Sequence, residues 1–473
     1  MKNAMTITPT VLDNTSADPF YRQIYHRFRS AIDDGLLRPG DRIPSARALC
    51  KEMGLARGTI ETAYSLLTAE GYIVARGQAG TVVTPELKPR RRLAAVAPPS
   101  SNALAAPSFR PDSILPFQMG LPALDKFPRK LWARLGARCA RSMQAIDMVH
   151  PPVFGLAALR AEIAAYLQVS RGVNCAPSQI FITAGYRQTV QMIAHALLTA
   201  GDRVWLEDPG YPPTREILGH MDIGVVPVPV DQQGMVVADG IAAARGARAA
   251  VVTPAHQSPL GVSLSLPRRM ELLDWARRNK AWIIEDDYDG EYRYVSRPLP
   301  ALKSLDRDGR VLYAGTFSKV LIPAIRLAYL VVPEAQVERF ERTCHDLAAG
   351  SPQLTQAMVA AFMAEGHFPR HIQRMRKLYG ERREATITGL ERALAAHVSI
   401  DAQPGGMHLI LRLRGGQDDR RIVALMREQG LYAEALSDWS MRGDGPAAVL
   451  LNFTNVDSAS TAEQLGRRIA ALL

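Results

Sequence analysis

The chain has no apolar run approaching the length of a membrane span, which argues against a membrane-embedded protein. Its first residues, Met1-Lys2-Asn3-Ala4-Met5-Thr6, lack the apolar stretch of a secretory signal, so export is not expected. Cysteine is scarce. Cys50, Cys139, Cys175 and Cys344 are the only four, and they lie too far apart to form a metal-binding or redox spacing. They predict reduced, buried thiols, no metal site and a cytoplasmic location. Internal repeats are also missing. What is abundant is positive charge: a net +11 over 473 residues, with a pI near 9.6. Residues 1–92 hold 14 Lys and Arg against 9 Asp and Glu, so +5 of the excess lies in the first fifth of the chain. Such a balance is compatible with a nucleic-acid partner. An apolar fraction of 47% is ordinary for a globular protein, and the length predicts two or three domains.

Near the N-terminus, Tyr21, Ile24, Tyr25, Phe28 and Ile32 recur at helical spacing and predict an amphipathic helix that stops near Gly35. Pro44-Ser45 opens a second helix, with Ser45 as N-cap and Ala48, Leu49 and Met53 turned inward, and Gly54 breaks it. A third begins near Arg57, packs through Ile60, Ala63, Tyr64 and Leu67, and ends at Gly71. Helix, short turn, helix at this spacing is the helix-turn-helix pattern. Residues 72–83 then read as a β-hairpin, a wing. A recognition helix offers its N-terminal residues to the major groove. Here Arg57 can bind guanine or phosphate, while Gly58 and Thr59 are small enough for close approach.

A linker follows. Residues 85–113 carry Lys88-Pro89-Arg90-Arg91-Arg92 and then a Pro-, Ala- and Ser-rich tract that cannot build a core. They predict a flexible tether between a DNA-binding domain at 17–84 and a larger domain at 114–473, whose last part, from about 350, forms a small αβ subdomain.

The larger domain contains the most informative segment, Gly315-Thr316-Phe317-Ser318-Lys319, with Arg326 seven residues beyond the lysine. An amine among small hydroxyls with a guanidinium nearby is what a pyridoxal 5'-phosphate (PLP) site requires: a lysine for the Schiff base, hydroxyls and arginine for the phosphate. Upstream, Trp282-Ile283-Ile284 reads as a buried parallel strand, with Asp286 and Asp287 at its C-terminal end, where open α/β sheets place their ligand sites. A carboxylate there suits the pyridine nitrogen, and Asp286 is the better candidate, with Tyr288 in reach of the ring hydroxyl. Ile180-Phe181-Ile182 runs into Gly185-Tyr186 and a helix, a turn whose free N–H groups suit a phosphate. The segment from Arg203 to Tyr211 is again strand then loop, delivering Tyr211 as a stacking aromatic.

With these four segments in this order, residues from about 115 resemble a fold-type I PLP-dependent aminotransferase, and residues 17–84 resemble a GntR-type winged helix-turn-helix. The pairing resembles the MocR subfamily of bacterial transcriptional regulators. The resemblance implies an α/β fold with a mostly parallel sheet flanked by helices. It implies Lys319 as the Schiff-base lysine, Asp286 on the pyridine nitrogen, Tyr288 on the ring hydroxyl and Tyr211 on the ring face. Thr316, Ser318, Arg326 and the Gly185-Tyr186 backbone would hold the phosphate, and Gly120 would lie over the effector. Arg47, Arg57, Thr59 and the wing's Gly77 fall where the winged-helix family touches DNA, although Glu61 stands where some relatives carry a basic residue. Three positions depart from the aminotransferase pattern. Ser258 replaces an asparagine that tunes the cofactor, Leu450 replaces the arginine that clamps a substrate carboxylate, and His150 stands near a tyrosine that reaches across the dimer. Arg442 or Arg412 could substitute as carboxylate anchor. The expected function is a PLP-dependent regulator, a head-to-tail homodimer that binds operator DNA and senses an amine or amino acid. The rival is a working aminotransferase with an accessory DNA-binding domain, and a third reading keeps PLP as a structural relic.

Overall fold

Ser45 shows how closely local chemistry sets the first elements. Its hydroxyl accepts from the Ala48 amide at 3.2 Å and so caps α2 (Ala46–Met53), which Gly54 ends in the left-handed region at φ +64°. In the computed structural model, residues 12–13, 18–77, 80–87, 113–294, 299–347, 350–401, 403–443, 445 and 447–473 are described. The basic cluster at 88–92 lies outside them, as does most of the tether. The chain divides into two units, Met1–Arg110 and Pro111–Leu473.

In the first unit, α1 (Phe20–Asp33) and α3 (Arg57–Ala69) pack across one core. Ile24, Phe28 and Ile32 of α1 meet Ile60, Ala63, Tyr64 and Leu67 of α3, all buried, with Phe28 and Tyr64 edge-to-face at 5.6 Å. The wing is the antiparallel pair β1 (Ile73–Ala75) and β2 (Thr81–Val83). One detail differs from the sequence reading: Ala48 is exposed. An eight-residue helix presents a narrow inner stripe, and Leu49 fills it with Ala46, Cys50 and Met53 partly buried around it.

The second unit is built on an eight-stranded sheet ordered β3 (Ile180–Thr183), β10 (Ala328–Val331), β9 (Val311–Thr316), β8 (Trp282–Asp287), β7 (Ala249–Val252), β4 (Arg203–Asp208), β5 (Gly224–Asp231) and β6 (Gly234–Met235). From β9 to β5 the strands run parallel, while β10 is antiparallel to both neighbours and β6 returns as a short hairpin. β8 has parallel partners on both sides and helices on both faces of the sheet, which is why its sequence is apolar without alternation up to Ile284. A smaller antiparallel sheet, ordered β11 (Val398–Asp401), β12 (His408–Leu413), β14 (Ala448–Asn452) and β13 (Glu434–Ala435), follows the 28-residue helix His367–Leu394. Among the described residues no helix is long and apolar enough to cross a membrane, and no group of three or more His, Cys, Asp or Glu is arranged to hold a metal.

Candidate functional site

Asp286 and Asp287 are neighbours on β8, so the pleat sends them to opposite faces of the sheet. Asp287 is fully engaged. It pairs with Arg171 at 2.8 Å and accepts from the Tyr313 hydroxyl at 2.6 Å and the Gly290 amide at 3.1 Å. Asp286 faces a cavity of about 280 Å³ and has no ion pair or side-chain hydrogen bond among the described residues. Burial, reinforced by the charges of Asp287, Glu207 and Asp289, pushes its carboxyl well above the ordinary range, with Lys319 opposing. A cationic ring nitrogen placed beside Asp286 would relieve that cost. Asp287 holds the fold together and Asp286 is left for a ligand.

Lys319 enters the same cavity from the turn after β9, where the Thr316 hydroxyl accepts from the Ser318 amide at 3.1 Å. Its Nζ donates to the carbonyl of Gly120 at 3.0 Å. Burial pulls its ammonium below the usual lysine range, against the opposing pull of Asp289, Glu434 and Asp286. Gly120 sits at φ +73°, where a side chain is strained, and a Cβ there would lie 2.3 Å from the amine and push it aside. Asn452, at the end of β14, holds this segment by donating to the carbonyls of Gln118 (2.9 Å) and Leu121 (2.8 Å).

One corner of the cavity is built for an anion. The helix Tyr186–Leu197 begins there with Gly185 as N-cap at φ +119°, so its first amides point out of the helix. Arg326 faces the same glycine: a Cβ on Gly185 would lie 3.2 Å from the guanidinium. Arg326 forms no ion pair among the described residues, and Thr316 and Ser318 line the cavity with it. Free amides, hydroxyls and an uncommitted guanidinium together fit a phosphate. These residues therefore suit PLP at both ends, phosphate and ring nitrogen.

The aromatic residues close the opening. Tyr211, 40% exposed, has its ring 5.7 Å from those of Tyr186 and Trp439. The hydroxyl of Tyr288 lies 3.0 Å from His256 Nδ1, which also approaches Asp289 Oδ1 at 3.2 Å. Asp289 Oδ2 and His256 Nε2 are buried without a hydrogen-bond partner among the described residues. Ser258 also lines the cavity. Tyr288, His256 and Asp289 thus form a small polar network in the cavity that Ser258, the departure noted in the sequence, also lines.

The structure brings Gly120, Gly185, Tyr186, Tyr211, Asp286, Tyr288, Thr316, Ser318, Lys319 and Arg326 to one cavity. Arg442 is not among them. Asp208 accepts from the amides of Met441 (2.7 Å) and Arg442 (3.2 Å), and this anchors the loop so that Arg442 lines a separate cavity of about 610 Å³. Arg412 lines that second cavity too, paired with Asp401 at 2.6 Å. Leu450 is buried in the small sheet, and His150 is exposed. Asp289, Glu434 and Trp439 also line the Lys319 cavity, and the sequence reading did not single them out. The Asp-Asp-Tyr-Asp run was a usable signal for Asp289. Glu434, on a two-residue strand, gave none.

In the first unit, Arg47 and Arg57 are exposed at the starts of α2 and α3, and Gly77 takes φ +50° in the wing. Thr59, in the first turn of α3, is half-buried. Arg57 is bound by its own helix, its Nε donating to Glu61 at 2.6 Å.

Comparison with known proteins matches both units. Residues 128–458 match the family model for aminotransferase class I and II, and residues 20–83 match that of the bacterial regulatory proteins of the gntR family. The probable rhizopine catabolism regulatory protein MocR of Rhizobium meliloti is 34% identical over 475 residues, covering 98% of this chain and 96% of that protein. The HTH-type pyridoxine biosynthesis transcriptional regulator PdxR of Corynebacterium glutamicum is 34% identical over 423 residues, 88% of each. Among solved structures, the α-aminoadipate aminotransferase LysN of Thermus thermophilus, complexed with N-(5'-phosphopyridoxyl)-L-leucine, superposes with a TM-score of 0.69. It is 26% identical, over 76% of this chain and 92% of that one.

Proposed function

The chain belongs to the MocR subfamily of GntR-type transcriptional regulators, and from that membership we propose that it is a PLP-dependent, DNA-binding regulator that senses an amine through Lys319. One observation carries the reading. A single chain joins a complete winged helix-turn-helix to a cavity in which Lys319, Asp286 and the Gly185–Arg326 corner converge. When bound, PLP supplies an electrophilic aldehyde that condenses reversibly with primary amines.

The roles of the chain's own residues follow from the geometry. Arg326, Thr316, Ser318 and the amides at Gly185 and Tyr186 would hold the phosphate. Asp286 would hold the proton on the pyridine nitrogen, Tyr288 would bond the ring hydroxyl, and Tyr211 would cover the ring and exclude water. Lys319, its proton weakened by burial, supplies the reactive amine. Gly120 leaves room above it for an incoming effector. The winged helix binds operator DNA, with Arg47, Arg57, Thr59 and Gly77 as the contacts. A ligand shifts such a regulator only if it binds one state more tightly than another.

A dimeric form is supported by the segment before His150, where Ile146, Met148 and Val149 are 75%, 68% and 61% exposed. A second subunit covering that segment would bring two winged helices to an operator with two half-sites, the head-to-tail arrangement expected from the sequence. A cytoplasmic location accords with an operator as target.

The test is the visible spectrum of PLP-loaded protein during addition of amines and then of a keto acid, together with operator binding. A band that depends on Lys319, shifts with one ligand and stays shifted, while operator affinity changes, supports the sensor. Rapid cycling with the keto acid would instead establish a transaminase. Operator binding by Lys319→Ala that still responds to the amine would overturn the role of the lysine.

A further inference from the structure

The charges around Lys319 are distributed unevenly, and the asymmetry bears on what the effector is. Among the described residues, four basic side chains line the cavity: Lys319, Arg187, Arg326 and His408, and burial pushes the His408 imidazole down to about 4, so it stays neutral. Arg187 and Arg326 both lie at the start of the helix Tyr186–Leu197, one within its first turn and the other against Gly185. Arg187 is also paired with Glu216 at 2.8 Å. Both guanidiniums therefore belong to the anion corner.

The other side is acidic. Glu434 reaches the cavity from β13, where its backbone is in register with Leu450 of β14, itself in register with Ile410 of β12. With Asp401 of β11 opposite Ile410, the row across the small sheet is thus carboxylate, aliphatic, aliphatic, carboxylate, with no cation. Two neutral donors fix the Glu434 carboxylate: the Tyr432 hydroxyl on Oε1 at 3.0 Å and the Trp439 indole N–H on Oε2 at 3.1 Å. Each oxygen keeps a lone pair for another donor, and no ion pair neutralises the group among the described residues. The second carboxylate, Asp289, is 1% exposed, lines the same cavity, and leaves Oδ2 with no hydrogen-bond partner among the described residues. Nearby, the rings of Trp439 and Tyr211 form an aromatic edge that favours cations over anions.

An effector that takes the place of the lysine amine meets this wall with its remaining atoms. A carboxylate there would face Glu434 and Asp289 with nothing to pair with, and a buried unpaired charge is strongly disfavoured. A second ammonium would find an oriented acceptor and replace the charge that Lys319 withdraws. We propose that the site selects a primary amine bearing a second cationic group and no carboxylate, the class of short diamines, with Glu434 receiving the remote ammonium. This rests on the reading of the chain as a PLP-dependent amine sensor.

Two probes of equal length separate the possibilities: 1,4-diaminobutane and 4-aminobutanoate, titrated into the PLP-loaded full-length protein while the visible spectrum is followed. The diamine should shift the band at a concentration about tenfold or more below that needed for the amino acid, roughly 1.4 kcal/mol of discrimination. Glu434→Gln should weaken the diamine response by a similar factor and leave the amino acid's response no weaker. Equal or tighter response to 4-aminobutanoate, or no response to either, would overturn the proposal. The wild-type comparison decides this even if the variant fails to fold. Failure of the protein to acquire a Lys319-dependent band with PLP sinks the sensor reading itself, an outcome visible before either probe is added.

Discussion

The two units handle charge in opposite ways. In the winged-helix unit no charged side chain is buried among the described residues, and its ion pairs, such as Arg57–Glu61 and Arg22–Asp18, are solvent-exposed. In the larger unit, Arg171, Glu207, Glu285, Asp286, Asp287, Asp289 and Glu291 are all buried close to the Lys319 cavity or to the strands that frame it. A surface that meets a polyanion needs accessible, loosely committed cations, and their contribution to stability is small. A cavity that orients a small molecule needs desolvated groups fixed in advance, and those are costly unless each is paired. Recognition of a long, uniform partner and of a short, specific one therefore call for opposite treatment of the same residue types.

The contrast can be broken at Arg171. It satisfies Asp287 at 2.8 Å, lies 3.7 Å from Glu291 and donates to the Gly290 carbonyl at 2.9 Å. Arg171→Met should leave two buried carboxylates without a counter-charge and lower stability by ~3–5 kcal/mol in denaturant unfolding. A loss no greater than that from removing the exposed Arg47 would end the distinction.

Glu207 sharpens it through pH. Burial raises its carboxyl to about 7, against hydrogen bonds from Thr253 and Gln257. Because that value exceeds the ordinary 4.5, the folded protein binds more protons than the unfolded chain between the two. Stability contributed by this group is full at low pH and is lost as pH rises from about 4.5 through 7. Glu207→Gln stays neutral, so its stability relative to the wild type should improve by up to about 3 kcal/mol over that window. Unfolding curves at about pH 4.5 and about pH 8 check this, and a pH-independent difference would show that the wild-type carboxylate ionises freely.

The smallest effect belongs to the exposed pair. Glu61→Gln frees Arg57, at a cost to helix stability of only a few tenths of a kcal/mol. Operator affinity should rise severalfold, because the arginine no longer has to exchange a carboxylate for phosphate. Fluorescence anisotropy with labelled operator measures it, and unchanged affinity would mean that Arg57 makes no DNA contact.

Much of this was legible in the sequence because its signals are local. Ser45 and Gly54 bracket a helix through backbone chemistry alone, and the apolar run into Asp286 and Asp287 marks a central parallel strand and its functional end. The choice between the two aspartates follows from strand alternation, yet the partners that occupy Asp287 come from Arg171 and Tyr313, 116 residues before it and 26 after. No local pattern announces them. Arg442 lines a different cavity for a related reason, since its loop takes its path from backbone bonds to Asp208, 234 residues earlier. Glu434 was missed because a strand of two residues has no period to read.

The hydrogen bond between Lys319 and the carbonyl of Gly120 has a kinetic side. It gives the lysine amine a resting place inside the cavity, so a lysine displaced by an effector stays close at hand. Return of the lysine is then intramolecular, and proximity of this kind is worth a high effective concentration. A sensor of the proposed kind accordingly has a short memory. Its output should follow the present level of the amine, and the time needed to reset should be that of effector departure, with no added delay for the lysine to find its way back.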